Sequence, residues 1–120
     1  MPVLRIVDSI TELGEQDEGF IAVSGSHGGL SSASYALAAR PLLGIFNDAG
    51  VGLNSAGLAA LAFLESHSLA ACTVAHHSAC IGEACNTLAS GVVNAANDAA
   101  RALGIQTGWT CREVVYFLLC

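Results

Sequence analysis

The stretch FIAVSGSHGGLSSASYALAARPLLGIFND, residues 20 to 48, places a helical pattern between two apolar runs. The runs at its two ends are apolar almost throughout, which is typical of strands buried on both faces of a sheet. Between them, residues 31–40 have a helical pattern that Ser31 or Ser32 caps and that Pro41 ends. A strand, a helix and a second strand in this order predict a parallel pair of strands.

The rest of the chain repeats this alternation. Further strands are predicted at 3–7, 69–75 and 113–119, and further helices from Asn54 or Ser55 to Ser66 and from about Gly82 to Leu103, with Gly104 just beyond the last helix. We therefore expect a single α/β domain over residues 1–120. Its predicted architecture has three layers, with a mostly parallel sheet and helices on both faces.

The composition bears on the partners of the chain. Hydrophobic residues make up 53% of it and charged residues only 12%, roughly half the usual charged fraction. A chain of this size has a large surface to cover, so we expect a homo-oligomer with an apolar interface. The chain has no lysine, and its net charge of −6 argues against nucleic acids and anionic membranes as partners.

The chain shows no pattern of export or of membrane insertion. The first 20 residues lack the basic start and apolar run of a signal peptide, and no apolar run is long enough to span a bilayer. The five cysteines are odd in number and irregularly spaced, which favours free thiols in a reducing compartment. A cytoplasmic location is the expectation that follows.

Polar residues gather directly after three of the predicted strands. The segments are SGSHGG at 24–29, NDAGVGLNSAG at 47–57 and HHSAC at 76–80. Ligands of α/β sheets bind at the carboxyl ends of the strands. The three loops together therefore predict one site.

The first of these loops resembles an anion-binding turn at the start of a helix. Glycines allow a ligand to approach the backbone, and a helix N-terminus favours a carboxylate or a phosphate. The loop has neither a Walker ending nor a GxGxxG spacing, which disfavours nucleotides, and the alternative is a tight structural turn. The ligand-binding residues predicted for a small anionic metabolite are Ser24, Gly25, Ser26, Gly28, Gly29, Asn47 and Ser78.

Four residues of these loops are candidate catalytic groups: His27, Asp48, His77 and Cys80. His27 or His77 would transfer protons, Asp48 would orient a histidine, and Cys80 or Ser78 would be the nucleophile near a helix start. The structural alternatives are an Asx-turn for Asp48, a helix cap for Ser78 and a buried position for Cys80. Which of the adjacent residues His76 and His77 faces the site stays open.

A metal ion is a further alternative for this set. His27, Asp48 and either His76 or His77 come from three loops, and two histidines with a carboxylate are a workable set of ligands. No recognised spacing such as HExxH is present, and the cysteines form no paired CxxC pattern. We therefore predict neither a bound metal nor another cofactor.

The motifs GSHGG, at 25–29, and FNDAGVG, at 46–52, resemble those of small bacterial α/β proteins of uncharacterised function. The resemblance covers roughly residues 20 to 105. It implies that the two loops belong to one site, and it implies no activity.

Two functions are consistent with these features. The first is a hydrolase or lyase that acts on a small carboxylate or amide, with backbone N–H groups of the SGSHGG turn stabilising negative charge. The second is a non-catalytic subunit that binds a metabolite or supports an assembly. A purely structural oligomer would not explain why the polar residues gather after three strands.

Overall fold

The computed structural model describes residues 3–50 and 58–119, and within them it contains one five-stranded sheet. The strands are β1 (Leu4–Val7), β2 (Ile21–His27), β3 (Leu43–Asn47), β4 (Ala70–Val74) and β5 (Val93–Ala96). They lie in the order of the sequence. β1 to β4 are parallel, and β5 is antiparallel to β4. The mostly parallel sheet predicted from the sequence is confirmed.

Helices cover both faces of this sheet. They are α1 (Leu30–Ala39), α2 (Ala59–Glu65), α3 (Ala84–Ser90), α4 (Asp98–Ala102) and α5 (Cys111–Leu119). Two short 3-10 turns, Ile10–Glu12 and Glu15–Asp17, connect β1 to β2. One core cluster joins α1 and α2 to the sheet, and a second joins α4 and α5 to its other face, with Leu88 of α3 packed against it.

Most buried positions of the strands are apolar because the strands supply both cores. In β2, Ile21 and Val23 belong to the core on the α5 side, whereas Ala22 belongs to the core on the α1 side. In β4, Cys72 and Ala71 divide in the same way. Successive side chains of a strand point to opposite faces, so a strand that is covered on both faces places apolar residues at successive positions.

The long helix predicted from Gly82 to Leu103 is wrong. The segment contains α3, then β5 and then α4, and β5 pairs with the edge of β4 through Val93 and Ala96. The alanine-rich sequence favours helix locally, but ladder hydrogen bonds with the unpaired edge of β4 outweigh that weak preference. The expectation for Gly104 is confirmed, because it follows α4 with a φ of 103°.

The strand predicted at 113–119 is also wrong, because this segment belongs to helix α5. Cys111, Val114 and Val115 are buried, which is the spacing of one helix face. Thr110 and Glu113 cap each other: the backbone N–H of Glu113 donates to Thr110 Oγ1 at 3.1 Å, and the N–H of Thr110 donates to Glu113 Oε1 at 2.9 Å. This reciprocal arrangement starts a helix.

Smaller differences concern where elements begin. Strand β2 continues to His27, so most of the predicted SGSHGG turn is strand. Gly29 is the N-cap of α1, and Ser31 and Ser32 lie inside that helix. The predicted helix start at Asn54 or Ser55 and most of the glycine-rich turn at 49–57 lie outside the described residues.

No helix in the described ranges combines the length and the apolar character that crossing a membrane requires.

Candidate functional site

A buried carboxylate meets a half-exposed imidazole at the carboxyl edge of the sheet. Asp48 directly follows β3, and His76 comes shortly after the neighbouring parallel strand β4. His76 Nδ1 lies 3.2 Å from Asp48 Oδ1, and the side chains are 56% and 4% exposed respectively. We call this pair the Asp48–His76 dyad.

The carboxylate of Asp48 is held by four hydrogen bonds. Its Oδ1 accepts from the backbone N–H groups of Gly50 and His76, both at 2.9 Å, and from Nδ1 of His76. Its Oδ2 accepts from Asn94 Nδ2 at 2.5 Å. Asn94 is itself fixed, because the hydroxyl of the buried Thr73 donates to its Oδ1 at 2.7 Å. The orientation of the carboxylate is thus set by three different strand ends.

These contacts keep Asp48 ionised. Burial by itself raises the pKa of this carboxyl, but the hydrogen bonds from Gly50, His76 and Asn94 and the nearby imidazole together lower it below its ordinary value of 3.8. Hydrogen bonds to a carboxylate favour the charged form, because they would be weakened on protonation. At neutral pH Asp48 is therefore a charged acceptor with little access to water.

An ionised carboxylate fixes the tautomer of its histidine partner. Because Asp48 can only accept hydrogen bonds, Nδ1 of His76 must carry a proton, which leaves the lone pair of a neutral imidazole on Nε2. No residue in 3–50 or 58–119 makes a hydrogen bond to that Nε2. His76 is thus arranged to accept a proton or to bind an electrophile at its exposed nitrogen.

His77, the histidine predicted for catalysis, lies beside the dyad and outside it. It is exposed, and its ring meets that of His76 edge to face at a centroid distance of 5.5 Å. Its side chain has no hydrogen bond to a carboxylate within the described part of the chain. The geometry therefore favours His76 over His77 as the histidine that Asp48 orients.

Two other predicted site residues, Ser78 and Asn47, hold the loops at this edge, whereas the side chain of Cys80 does not. The hydroxyl of Ser78 donates to the carbonyl of Ala75 at 2.6 Å and accepts from the N–H of Val92 at 3.0 Å, so both of its hydrogen-bonding roles are used. The buried Asn47 likewise bridges Ala79 and Ala49. Cys80 is exposed, lies four residues before α3, and has no catalytic partner in the described residues.

The residues predicted to bind an anion in the first loop are engaged within the protein. Ser24 Oγ donates to the carbonyl of Ile45, Ser26 Oγ accepts from the N–H of Ile10, and the N–H of Gly28 donates to the carbonyl of Asn47. Gly25 is needed for packing: a Cβ there would lie 2.5–2.8 Å from backbone atoms of neighbouring loops. Gly29 is the buried N-cap of α1.

His27 lies at a different strand end from the dyad. It is the exposed last residue of β2, and it lines a groove of about 280 Å³ together with Ser9, Thr11 and Tyr35. The predicted site residues thus lie at two places along this edge of the sheet, the dyad after β3 and β4 and the groove after β1 and β2. No group of three or more metal-ligating side chains occurs within the described ranges.

Asn94 and Thr73 are the site residues that sequence reasoning missed. Both depend on β5, which the alanine-rich pattern around Asn94 assigned to a helix. Comparison with protein-family models, with curated proteins and with solved structures found no match for this chain, so the interpretation of the site rests on its own geometry.

Proposed function

We propose that this protein is a hydrolase or lyase that uses His76 as a general base on a small polar metabolite bearing a carboxylate or an amide. The observation that carries the proposal is the 3.2 Å contact between the buried Asp48 carboxylate and Nδ1 of a half-exposed imidazole. A structural salt bridge does not require the other ring nitrogen to remain exposed, whereas a proton acceptor does.

The proposed chemistry begins with proton transfer to Nε2 of His76. The proton comes from a water molecule that attacks a carbonyl carbon, in the hydrolase, or from a carbon next to the carboxylate, in the lyase. Asp48 stabilises the imidazolium that forms, and Asn94 and Gly50 keep that carboxylate in place. His76 then returns the proton to the leaving group.

This mechanism needs no nucleophile from the protein. Ser78 uses its hydroxyl to join the loop to β5, and Cys80 has no base beside it in the described residues. We therefore assign the attack in the hydrolase to water and leave Cys80 without a catalytic role.

The experiment compares two adjacent histidines that differ in their contact with Asp48. His76→Asn keeps a donor near Asp48 but removes Nε2, and His77→Asn makes the same change one residue away. Each variant is assayed against p-nitrophenyl acetate and against small amides and carboxylates, with ammonia release and product formation as readouts. We expect His76→Asn to lower kcat/KM by about a hundredfold or more and His77→Asn to change it by about twofold at most.

A non-catalytic metabolite-binding or assembly subunit is the competing function. It predicts no turnover of any of these compounds by the unmodified protein. Turnover that both variants retain would also refute the general-base role of His76.

We further propose that two copies of the chain associate through α5. Its outer face exposes 75% of Tyr116 and 50% of Phe117. Together with Trp109 these rings line a hollow of about 520 Å³, and a second apolar hollow of about 410 Å³ adjoins it beside Leu4. A hollow next to a protruding ring allows the same patch of two copies to interlock, as a two-fold dimer requires.

Area and charge favour a second copy over another partner. The two exposed rings supply roughly 200 Å² of accessible surface. A stable interface buries roughly 800 Å² on each partner, so these rings account for about a quarter of that area. Arg112 and Glu113 make this face neutral in a chain of net charge −6. A two-fold axis beside them sets each Arg112 against Glu113 of the other copy and avoids the repulsion that more acidic faces would cause.

Sedimentation velocity tests this association. We expect the unmodified protein to sediment as a dimer and Tyr116→Ser to sediment as a monomer. Tyr35→Ser is the matched control, because Tyr35 is 46% exposed on α1, on the opposite side of the sheet. A monomeric unmodified protein, or a Tyr116→Ser variant that remains dimeric, would refute this interface.

A further inference from the structure

The groove beside His27 has a lining unlike the rest of this acidic protein. It lies between the first 3-10 turn and the start of α1, and its volume is about 280 Å³. No carboxylate lines it within the described residues, although the chain has ten. Its polar lining consists of hydroxyls and one imidazole, from Ser9, Thr11, Ser26, Ser31, Ser32, Tyr35 and His27.

Helix α1 opens into this groove with unused backbone donors. Its N-cap, Gly29, has no side chain to accept a hydrogen bond, and the first helical bond runs from the N–H of Ala33 to the carbonyl of Gly29. The N–H groups of Leu30, Ser31 and Ser32 have no acceptor in residues 3–50 or 58–119. These N–H groups form the positive end of the helix dipole.

Three of the other four helix starts receive a side-chain acceptor, whereas the start of α2, like that of α1, has none. Asp8 accepts from the first N–H of α3, Asn97 caps α4, and Thr110 caps α5. In the first turn of α2 the N–H of Ala60 donates to the carbonyl of Gly28 at 2.8 Å, whereas the described residues supply no acceptor of either kind to the first N–H groups of α1. Two serines stand where a cap is expected, yet both lie within the helix.

Ser32 gives an independent indication that a ligand binds here. The residue is 5% exposed and lines the groove, and its hydroxyl has no hydrogen bond within the described part of the chain. Every side-chain polar atom that is fully buried in that part has a partner, so the Ser32 hydroxyl must reach the groove. By contrast, the exposed Ser34 donates to the carbonyl of Ser31 at 2.7 Å. A nearly buried hydroxyl is seldom left without a partner.

We propose that this groove binds the anionic group, a carboxylate or a phosphate, of a small molecule. The N–H groups of Leu30, Ser31 and Ser32 donate to its oxygens, and so does the Ser32 hydroxyl. His27, at the rim, donates from a protonated ring nitrogen. The site is separate from the Asp48–His76 dyad, and its ligand does not depend on the function proposed for that dyad.

Two variants remove one donor each without disturbing the core. Ser32→Ala removes the hydroxyl. Leu30→Pro removes the first N–H of the helix, a position where proline is well tolerated, and Gly29 before it already has an extended backbone, with φ −87° and ψ 173°. Leu30 is 60% exposed, so its replacement costs little apolar burial. Ser34→Ala, on the same helix, is the matched control.

The test is titration of the ¹⁵N-labelled protein with inorganic phosphate and, separately, with sodium acetate, followed through the amide signals of residues 29–33. We expect saturable shifts with at least one of the two anions, and affinity reduced about tenfold by Ser32→Ala and by Leu30→Pro but not by Ser34→Ala. Tighter binding of phosphate would identify a phosphorylated ligand, and tighter binding of acetate a carboxylate. The absence of saturable shifts with both anions, or equal affinity in all three variants, would overturn the proposal.

Discussion

Replacing Asp48 with asparagine tests whether this residue is a buried, ionised acceptor. In the native protein one oxygen accepts three hydrogen bonds and the other accepts one from Asn94. In Asp48→Asn one oxygen becomes an NH₂ group. It must then face either Asn94 Nδ2 or the N–H groups of Gly50 and His76, so donors oppose donors in both orientations of the amide.

The expected loss of stability follows from these contacts. Burying an unsatisfied donor costs about 1–3 kcal/mol, and hydrogen bonds to a charged group contribute more than those to a neutral one. We expect Asp48→Asn to lower the free energy of unfolding by about 3 kcal/mol at pH 7. A domain of this size has about 5–15 kcal/mol in total, so the variant should still fold. Urea denaturation followed by circular dichroism measures the difference as a shift in midpoint.

The dependence on pH gives the sharper test. Because the pKa of Asp48 is lower in the folded protein than its ordinary value of 3.8, the unfolded chain binds this proton more tightly than the folded one. The contribution of Asp48 is therefore complete above the unfolded pKa and is lost as the pH falls through the folded pKa. The difference between the unmodified protein and Asp48→Asn should therefore be present at about pH 5 and above and shrink in more acidic solution.

Asp98→Asn is the matched control for this experiment. The Asp98 side chain is 80% exposed and pairs with Arg101 on the surface, so its replacement should cost about 0.5 kcal/mol or less. A loss below about 1 kcal/mol for Asp48→Asn at pH 7 would contradict the reasoning. So would a loss that persists unchanged in acid.

Three further changes probe the fold around the site. Gly25→Ala should destabilise the protein by about 3 kcal/mol, because its Cβ would meet backbone atoms at 2.5–2.8 Å; a urea midpoint equal to that of the unmodified protein would exclude this close packing. Asn97→Ala should lower the free energy of unfolding by about 2–4 kcal/mol, because this buried amide makes four hydrogen bonds that join β4, α2 and α4. Thermal denaturation measures the loss, and an unchanged melting temperature would refute that role. In the native protein iodoacetamide should alkylate the exposed Cys80 quickly but Cys72 and Cys111 only after unfolding. Burial raises the pKa of the Cys72 and Cys111 thiols, that of Cys111 to about 12. Peptide mapping by mass spectrometry measures the labelling, and equal labelling of the three cysteines would disprove this expectation.

The two proposed sites lie at the same edge of the sheet but differ in chemistry. The dyad follows β3 and β4 and has a charged acceptor and a proton-accepting nitrogen, whereas the groove follows β1 and β2 and offers hydroxyls, an imidazole and backbone N–H groups but no carboxylate among the described residues. A parallel sheet brings the carboxyl ends of its strands to one edge, which explains why the polar loops of the sequence gather there. The residues of these loops then take different parts, some forming the dyad, some lining the groove and others joining the loops to one another.

Local sequence was a reliable guide where one physical effect dominated. The apolar runs of β2 to β4 had to be buried on both faces, and that requirement predicts strands and a three-layer fold. Prediction failed in the second half of the chain, where two effects compete. Around Val93 the alanines favour helix, but the open edge of β4 offers ladder hydrogen bonds and the segment forms a strand. The segment EVVYFLL is so apolar that the helical spacing of its buried valines cannot be recognised in the sequence.

The sequence by itself determined the class of fold and the edge of the sheet where polar residues collect, because hydrophobic periodicity and strand direction are properties of the chain alone. Tertiary structure decided which of two adjacent histidines meets Asp48, since the turn after β4 brings the ring of His76 to that carboxylate and leaves His77 beside it. It also brought Asn94 to the carboxylate, across 46 residues of sequence, by pairing β5 with β4. Contacts of that kind depend on how distant segments pack, and no local pattern encodes them.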